Sequence, residues 1–374
     1  MSSSSSAIEL RERDFGSFFE VPFTIYPSSI PWVAMLKSDL HDLLDTKKNP
    51  HWQVADGTYF TAFRNSVPVG RILVHVHHAA NTRFNEQACS FGFFDVVDHL
   101  DVARVLIERA EAWARERGLT RLRGNMNLTA NQEIGALVSG EHEAPFVAQM
   151  FQPAHVAKLL GQLGYAPTLP MSTFIRDDVQ TLDAEALLLD KHRGVLSDPD
   201  YTWREFRMDA FDDDVEIVRG LLNDAMDRNP LFVPMTKAEA RFQLGPMQQI
   251  MDPKLTRIAE FRGEPVAVTI CIPDPNPLLR RMRSRLNPWS LLQFLWGRRR
   301  LRRASIIIIL VRRDFHGRGI IGVLNRDLVK ALQAGGYTAL GGTWISDTNK
   351  ASLRQTELLG MRPLHRLALF EKAL

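Results

Sequence analysis

Two rhythms of apolar and polar residues follow one another along this chain, and the pair occurs twice. Residues 58–63 and 69–76 are dense in β-branched and aromatic side chains, with a polar turn at 64–68, which predicts a strand pair. Residues 90–94 predict a third strand. From 101 to 118 the period lengthens: Val102, Val105, Leu106, Ala110 and Trp113 fall on one face of a helix that Gly118 ends. A strand at 119–123, a polar loop at 124–131, a short helix at 155–163 stopped by Gly164, and a strand through 173–175 complete the first half.

The polar stretch 176–200 reads as a connection, and beyond it the plan repeats. A strand at 202–208 precedes helices at 213–226 and 236–250. The second opens on Thr236 with Glu239 three residues on, a capping-box spacing. Strands at 256–261 and 265–272 form a hairpin across 262–264. Residues 305–311, with four consecutive isoleucines, have the unbroken apolar character of a central strand buried on both faces. A glycine-rich turn, a helix to Ala334, a strand at 339–345, a helix at 350–359 and a strand at 365–370 follow. The 374 residues are therefore expected to form two α+β modules, 1–178 and 179–374, each a mixed, mostly antiparallel sheet flanked by helices.

Composition adds two points. Cys89 and Cys271 lie far apart in apolar stretches without metal-ligand spacing, which suits a reducing compartment. The opening MSSSSSAIELRERDF lacks the apolar core of a secretory signal, and no apolar run reaches the roughly 18 residues of a spanning helix, so a cytoplasmic location is expected.

Charge is distributed unevenly. The net charge is +3, yet nine arginines and no acid lie between Leu278 and Arg303, so the rest of the chain is net acidic. Within this 278–303 insert, LNPWSLLQFLWG is apolar but too short to span a bilayer. Tryptophans flanked by arginines suit a segment lying on an anionic membrane surface, with Trp289, Phe294, Trp296, Arg298 and Arg299 in contact. The alternative is a loop that buries its aromatics on the protein and solvates its arginines. Nucleic acid is not an expected partner, because the basicity is confined to this segment.

The candidate chemistry concentrates in IIIILVRRDFHGRGIIGVLNRDLVKAL. A strand runs through a turn with Gly317 and Gly319 straight into a helix. With no Cβ to block approach, backbone N–H groups and the helix N-terminus form a cradle suited to a pyrophosphate. Arg312, Arg313 and Arg318 add positive charge. Taken alone, the loop is equally a plain strand-to-helix turn. The order of elements, however, resembles the GNAT acyltransferase superfamily, whose turn reads Arg/Gln-x-x-Gly-x-Gly/Ala and grips the coenzyme A pyrophosphate. His316 stands at the first position, Gly319 at the central glycine and Ile321 at the last, with Gly322 one residue later. The family's Asn-x-x-Ala-x-x-x-Tyr-x-x-x-Gly resembles Asn349, Ser352, Thr356 and Gly360. Thr356 stands where many members place a tyrosine that protonates the departing thiolate.

The resemblance implies acyl-CoA as co-substrate, with no tightly bound cofactor. Its site would comprise Leu310, Val311, Arg313, His316, Gly317, Arg318, Gly319, Ile320, Ile321, Gly322 and Asn349. The first half resembles a second GNAT-like module. Its turn reads FGFFDVVDHLD, and Asp95, Asp98 and Asp101 put negative charge where a pyrophosphate would sit. That module is expected to shape an acceptor groove instead.

The stretches VGRI (69–72), FGFFD (91–95), GNMN (124–127), NQEIG (131–135), PDPN (273–276) and WISDTN (344–349) resemble a double-module bacterial subgroup that includes the bacterial ceramide synthases. This implies N-acylation of a long-chain lipid amine, in the first place a sphingoid base, by a protein peripheral on the inner face of the bacterial inner membrane. A non-catalytic acyl-CoA or lipid-binding regulator, and an acyltransferase on a different amine, are the alternatives. Peptidyl transfer of the Fem type fits least, because no helical arm separates the modules.

Direct acyl transfer needs a base for the amine and donors for the thioester oxyanion, the latter expected from the backbone of 309–311. No carboxylate lies in 305–311. Asp274, between two prolines, is the first candidate base, with Glu239 and Asp347 as alternatives. Each has a structural role open to it as well: turn, helix cap and helix entry. Asn276, Trp344, Asn125 and Asn127 are candidates for the acceptor site. His75 and His77 share a strand face, but no third ligand follows at a suitable spacing, so no metal is expected.

Overall fold

The computed structural model describes residues 7–229 and 231–374. Among them, thirteen strands hydrogen-bond into one continuous sheet. From edge to edge these run Ile8–Glu12, Ala55–Arg64, Val67–His77, Ala88–Val96, Arg121–Gly124, Arg362–Ala373, Ala166–Arg176, Ala339–Ser346, Arg303–Val311, Glu264–Pro273, Arg257–Phe261 and Tyr201–Glu205. Ala136–Ser139 pairs separately with the chain's last strand. Two neighbouring pairs are parallel: Ala88–Val96 with Arg121–Gly124, and Arg303–Val311 with Ala339–Ser346. Parallel neighbours need a crossover, which the helices Leu100–Arg115 and Ile320–Ala334 supply. This is an α+β fold in which one plan occurs twice.

The two halves are tied by an exchange of strands at the middle of the sheet. The last strand, Arg362–Ala373, lies between Arg121–Gly124 and Ala166–Arg176, both from the first half. Ala166–Arg176 in turn pairs with Ala339–Ser346 from the second. Hydrogen bonding therefore runs across residue 178 without a break.

Most elements follow from local pattern. Val102, Leu106, Ala110 and Trp113 are buried on the face of Leu100–Arg115 that the periodicity marks out. The Thr236 capping box is formed, with Glu239 bonding back to the Thr236 backbone. That helix stops at Leu244, short of 250, because Gly245 and Pro246 follow and the chain tightens into the 3-10 turn Gly245–Gln249. The helix Phe15–Ile25 is nearly all apolar and contains Pro22, so no period reveals it.

Candidate functional site

The two parallel pairs hold only at their starts. In the second half the register runs from Arg303 opposite Ala339 to Ile306 opposite Gly342, after which the strands diverge. Thr343 Oγ1 donates to the Ile307 carbonyl at 3.1 Å where they part. Beyond that point Ile307, Ile308 and Ile309 on one side, and Thr343, Trp344 and Ile345 on the other, are only half-buried. The isoleucine run is thus not sealed on both faces as its sequence predicts, because its neighbour turns away. A partly open groove with apolar walls results.

That groove leads to the glycine turn. Gly317 has φ 79° and Gly319 φ 85°, backbone conformations that side chains with a Cβ rarely adopt. Among the described residues no loop carbonyl accepts from the backbone N–H groups of Gly317, Arg318, Gly319, Ile320 or Ile321. The groups of a helix N-terminus are left for an anion. His316 turns its ring back, with Nε2 3.0 Å from the Val311 carbonyl, and so fixes the turn to the strand end. Arg312 is paired with Asp314 and Arg313 with Asp224, while Arg318 lies over the Phe315 ring at 4.4 Å. Leu310 and Val311 are buried, and Gly322 packs against the Leu187 carbonyl. Asn349 caps the helix Lys350–Leu358 by accepting from Ser352 N at 3.1 Å. Thr356 donates to the Leu353 carbonyl at 2.8 Å, a contact within its own helix.

The first split is closed by the chain itself. Its register covers Ala88–Ser90 against Arg121–Arg123, and the whole of Ala88–Val96 is buried. The loop after Gly124 fills the gap: Met126 N donates to the Phe91 carbonyl at 2.8 Å. A Cβ on Gly92 would strike the Met126 carbonyl, and one on Gly124 would come within 2.5 Å of the Phe91 carbonyl. Beyond Val96 the strand enters its helix with no glycine between. Asp95 and Asp101, whose charge was expected to repel a pyrophosphate, are paired with Arg71 and Arg64. The absent turn, more than the charge, removes the cradle here.

Beside that filled split lies a cavity lined by Arg71, Asp95, Asn125, Asn127, Glu133 and Gln152 within apolar walls that include Phe19, Trp32, Phe93 and Phe151. The sequence candidates Asn125 and Asn127 meet there. Asn127 accepts from Phe93 N at 2.8 Å and donates to Glu133 Oε2 at 2.9 Å. Glu133 is half-buried as a residue, but its carboxylate turns inward, and loss of water raises its pKa to about 7. Arg71 and Asp95 are both buried and bonded at 2.6 Å, and Tyr26 Oη donates to Asp95 at 2.5 Å. Sequence reasoning noted Glu133 only as part of NQEIG. The signal available was an acid immediately after an asparagine-rich loop.

The structure does not bring the three candidate bases together. Asp274 is fully buried at the closed end of the second split, accepting from Val147 N at 3.0 Å and Asn276 N at 3.2 Å, with Arg303 Nε 3.2 Å away. Burial raises its pKa, against Arg303 and the two backbone donors. Asn276 spends its amide on the Pro145 carbonyl. Asp347 is held by Arg366, Nη1 at 2.7 Å, which keeps its carboxyl below the usual range and makes it a weak base. Trp344 packs against an apolar cluster that includes Met171 and Leu367 and draws on both halves.

Glu239 faces a second cleft, where its carboxylate lies near His51 and His77, with ligand atoms within 4.8 Å of one another. His77 Nδ1 accepts the Ala80 N–H at 3.1 Å, which places the proton of the neutral ring on Nε2. The lone pair a metal would need is therefore already used. Burial drops the pKa of His51 to about 2 and of His75 to about 3, so both rings are neutral.

The basic insert forms the short helix Asn276–Arg281 and the helix Pro288–Gly297, opened by an Asn287–Ser290 capping box. Trp289 and Trp296 are 70% and 64% exposed, and Leu286, Leu291, Leu292 and Leu295 are exposed beside them, a face no part of the chain covers among the described residues. Phe294, expected on the same face, is buried and belongs to the protein side of the helix. Arg298 donates to the Gln249 carbonyl at 2.9 Å, and Arg300 lies over the Trp296 ring at 3.6 Å. Arg299 is exposed. The insert is fastened to the first half: Lys37 N donates to the Ser284 carbonyl at 2.9 Å, Ser284 Oγ to the Ala34 carbonyl at 2.6 Å, and Arg280 to the Ser28 carbonyl at 2.7 Å. No helix among the described residues is long and apolar enough to cross a membrane.

Comparison with known proteins agrees with this architecture. No family model matches the chain. It is 27% identical over 367 residues to a bacterial ceramide synthase of Caulobacter vibrioides, covering 96% of this chain and 94% of that one. It is 25% identical over 371 residues to protein YghO of Escherichia coli, covering 97% and 94%. A solved tandem GNAT protein from the clavulanic acid biosynthesis pathway matches in fold with a TM-score of 0.60 at 12% identity, over 98% of both chains. The doubled strand–crossover plan is the fold of a solved tandem GNAT protein, and the similarity to a bacterial ceramide synthase along nearly the whole chain supports an acyltransferase.

Proposed function

We propose that the chain transfers an acyl group from acyl-CoA to the amine of a long-chain lipid, in the first place a sphingoid base, giving an amide and free CoA. One observation carries the reading. Of two equivalent splits, the second alone pairs half-exposed apolar walls, Ile307–Ile309 and Thr343–Ile345, with a glycine turn whose N–H groups lack acceptors. Such a groove fits an extended acyl-pantetheine, and its turn fits the pyrophosphate. Gly317, Arg318, Gly319, Ile320 and Ile321 would hold the anion, and the backbone beside Leu310 and Val311 would face the thioester. The apolar cluster around Trp344 would receive a hydrocarbon chain. The direct test adds acyl-CoA and sphinganine and follows thiol release; failure with every lipid amine sinks the reading, and CoA binding without turnover favours a regulator.

The lipid half of the reading rests on the insert and on the ceramide synthase similarity. The exposed face of Pro288–Gly297 and the arginines around it suit an anionic surface, each basic group adding roughly 1 kcal/mol. The stretch before that helix is bonded to 28–37 through Arg280 and Ser284, and Trp32, Ala34 and Met35 of this segment line the cavity that holds Asn125 and Asn127. A lipid leaving the surface would reach the acceptor site along this joint, which supports a peripheral position on the cytoplasmic membrane face. The double change Trp289→Ser/Trp296→Ser is expected to weaken binding to anionic vesicles by roughly 100-fold or more, since each large apolar side chain buried contributes about 1.5–3 kcal/mol. Cosedimentation reads the effect, and unchanged binding would remove the insert from the proposal.

A further inference from the structure

We infer that the cavity between Arg71, Asn125, Glu133 and Gln152 is a recognition site for a primary ammonium flanked by hydroxyls, with the Glu133 carboxylate as the partner of the ammonium. The inference deepens the proposed reaction by placing its amine, and it rests on that reading for the choice of probe alone.

Three features of the cavity select such a ligand. First, its unmatched groups are acceptors. Asn125 is fully buried and donates its amide only to Met150 Sδ at 3.8 Å, leaving Oδ1 without a partner. Gln152, 2% exposed, donates to the Phe94 carbonyl at 2.7 Å and leaves Oε1 without one. On Glu133 only Oε2 is engaged, by Asn127. A buried acceptor without a partner is costly, so two buried carbonyl oxygens and a carboxylate oxygen call for a ligand that donates several hydrogen bonds.

Second, an anion has nothing to bind. The one cation in the lining among the described residues, Arg71, gives Nε and Nη2 to Asp95 and Nη1 to the Phe18 carbonyl at 2.9 Å. A phosphate or carboxylate would meet Glu133 and Asp95 instead. Third, the remaining walls are Phe19, Trp32, Met35, Leu40, Phe93 and Phe151, which favour a head group that carries an apolar chain.

The charged and titratable groups around Glu133 are Asp95 and Arg71 on the two adjoining strands and Tyr26, whose hydroxyl is bonded to Asp95; among the described residues no histidine lines the cavity. With Asp95 committed to Arg71 and Tyr26, Glu133 is the group whose charge changes near neutral pH. Its pKa of about 7 gives the sign. Below that pH the empty site holds a neutral carboxyl, and an ammonium must displace its proton. Affinity then falls about tenfold per unit as pH drops below 7, and levels above it while the amine stays protonated.

The test is calorimetric binding of a soluble octyl-chain aminodiol to the full chain without acyl-CoA, with the same diol lacking the amine as control. The aminodiol is expected to bind saturably and at least tenfold more tightly than the diol, with the pH slope just described. Glu133→Gln, nearly isosteric, is expected to lose roughly tenfold for the aminodiol, to flatten its pH profile and to leave the diol unchanged. Equal affinity for the two probes, no saturable binding, or full affinity in Glu133→Gln would overturn the inference. If that variant fails to fold, the wild-type pH profile against the diol decides. Selective aminodiol binding without thiol release would sink the proposed reaction and leave this site standing. Turnover with unselective binding would do the reverse.

Discussion

Gly319→Val is expected to raise the KM for acyl-CoA by roughly 100-fold or more, with little change in helix content. Gly319 is the residue before the helix Ile320–Ala334 and has φ 85°. A β-branched side chain is a genuine outlier there, and such backbone strain costs about 1–3 kcal/mol. The added Cβ would also run into His192, which packs over the turn. The turn must therefore rearrange, and its N–H groups stop converging. Hydrogen bonds to a charged partner are each worth about 1.5–3 kcal/mol, so losing two accounts for the expected factor. Gly317 supplies the control, because a Cβ there meets nothing within 4 Å although φ is 79°. Gly317→Ala carries strain without collision and should be the milder change. Steady-state KM, CoA calorimetry and thermal melting together read the outcome. Unchanged CoA affinity in a folded Gly319→Val protein would falsify the assignment of the turn.

Asp95→Ala is expected to destabilise the fold by about 3–5 kcal/mol, because it leaves the Arg71 guanidinium buried without its partner. Both residues lie inside, 5% and 3% exposed, and Asp95 also accepts from Tyr26. Arg71 joins this pair to the first helix through the Phe18 carbonyl, so the loss also loosens a wall of the cavity. Removing both charges, as Arg71→Met/Asp95→Leu, should recover most of the stability, since an apolar pair of similar volume needs no counter-charge. Urea unfolding of the single and double variants gives the comparison. A single-variant cost below about 1 kcal/mol would mean that water reaches the pair.

Local sequence reached far in this chain where one face of an element is buried. The hairpin Ala55–Arg64 and Val67–His77, the crossover Leu100–Arg115 and the turn at Gly317 and Gly319 all show in residue spacing. It failed where burial is set by distant partners. The isoleucines 307–309 read as sealed, and only the departure of Ala339–Ser346 leaves them half-exposed. Phe294 read as one more exposed aromatic, and the side of the helix it occupies turns it inward. For Glu239 the spacing already shows the Thr236 cap that the structure forms, but for Asp274 and Asp347 it gives no sign of Arg303 or Arg366.

By itself, then, the sequence determined the doubled α+β plan, the glycine turn and the segregation of nine arginines into one insert, because each is written in contiguous residues. The tertiary structure decided which split stays open, that the insert is bonded to a segment lining the first module's cavity, and that Arg71, Asp95, Asn125, Glu133 and Gln152 share that cavity. These five residues span 82 positions of chain, from 71 to 152. What gathers them is strand pairing across the sheet and a loop that fills the first split, and neither leaves a local period to read.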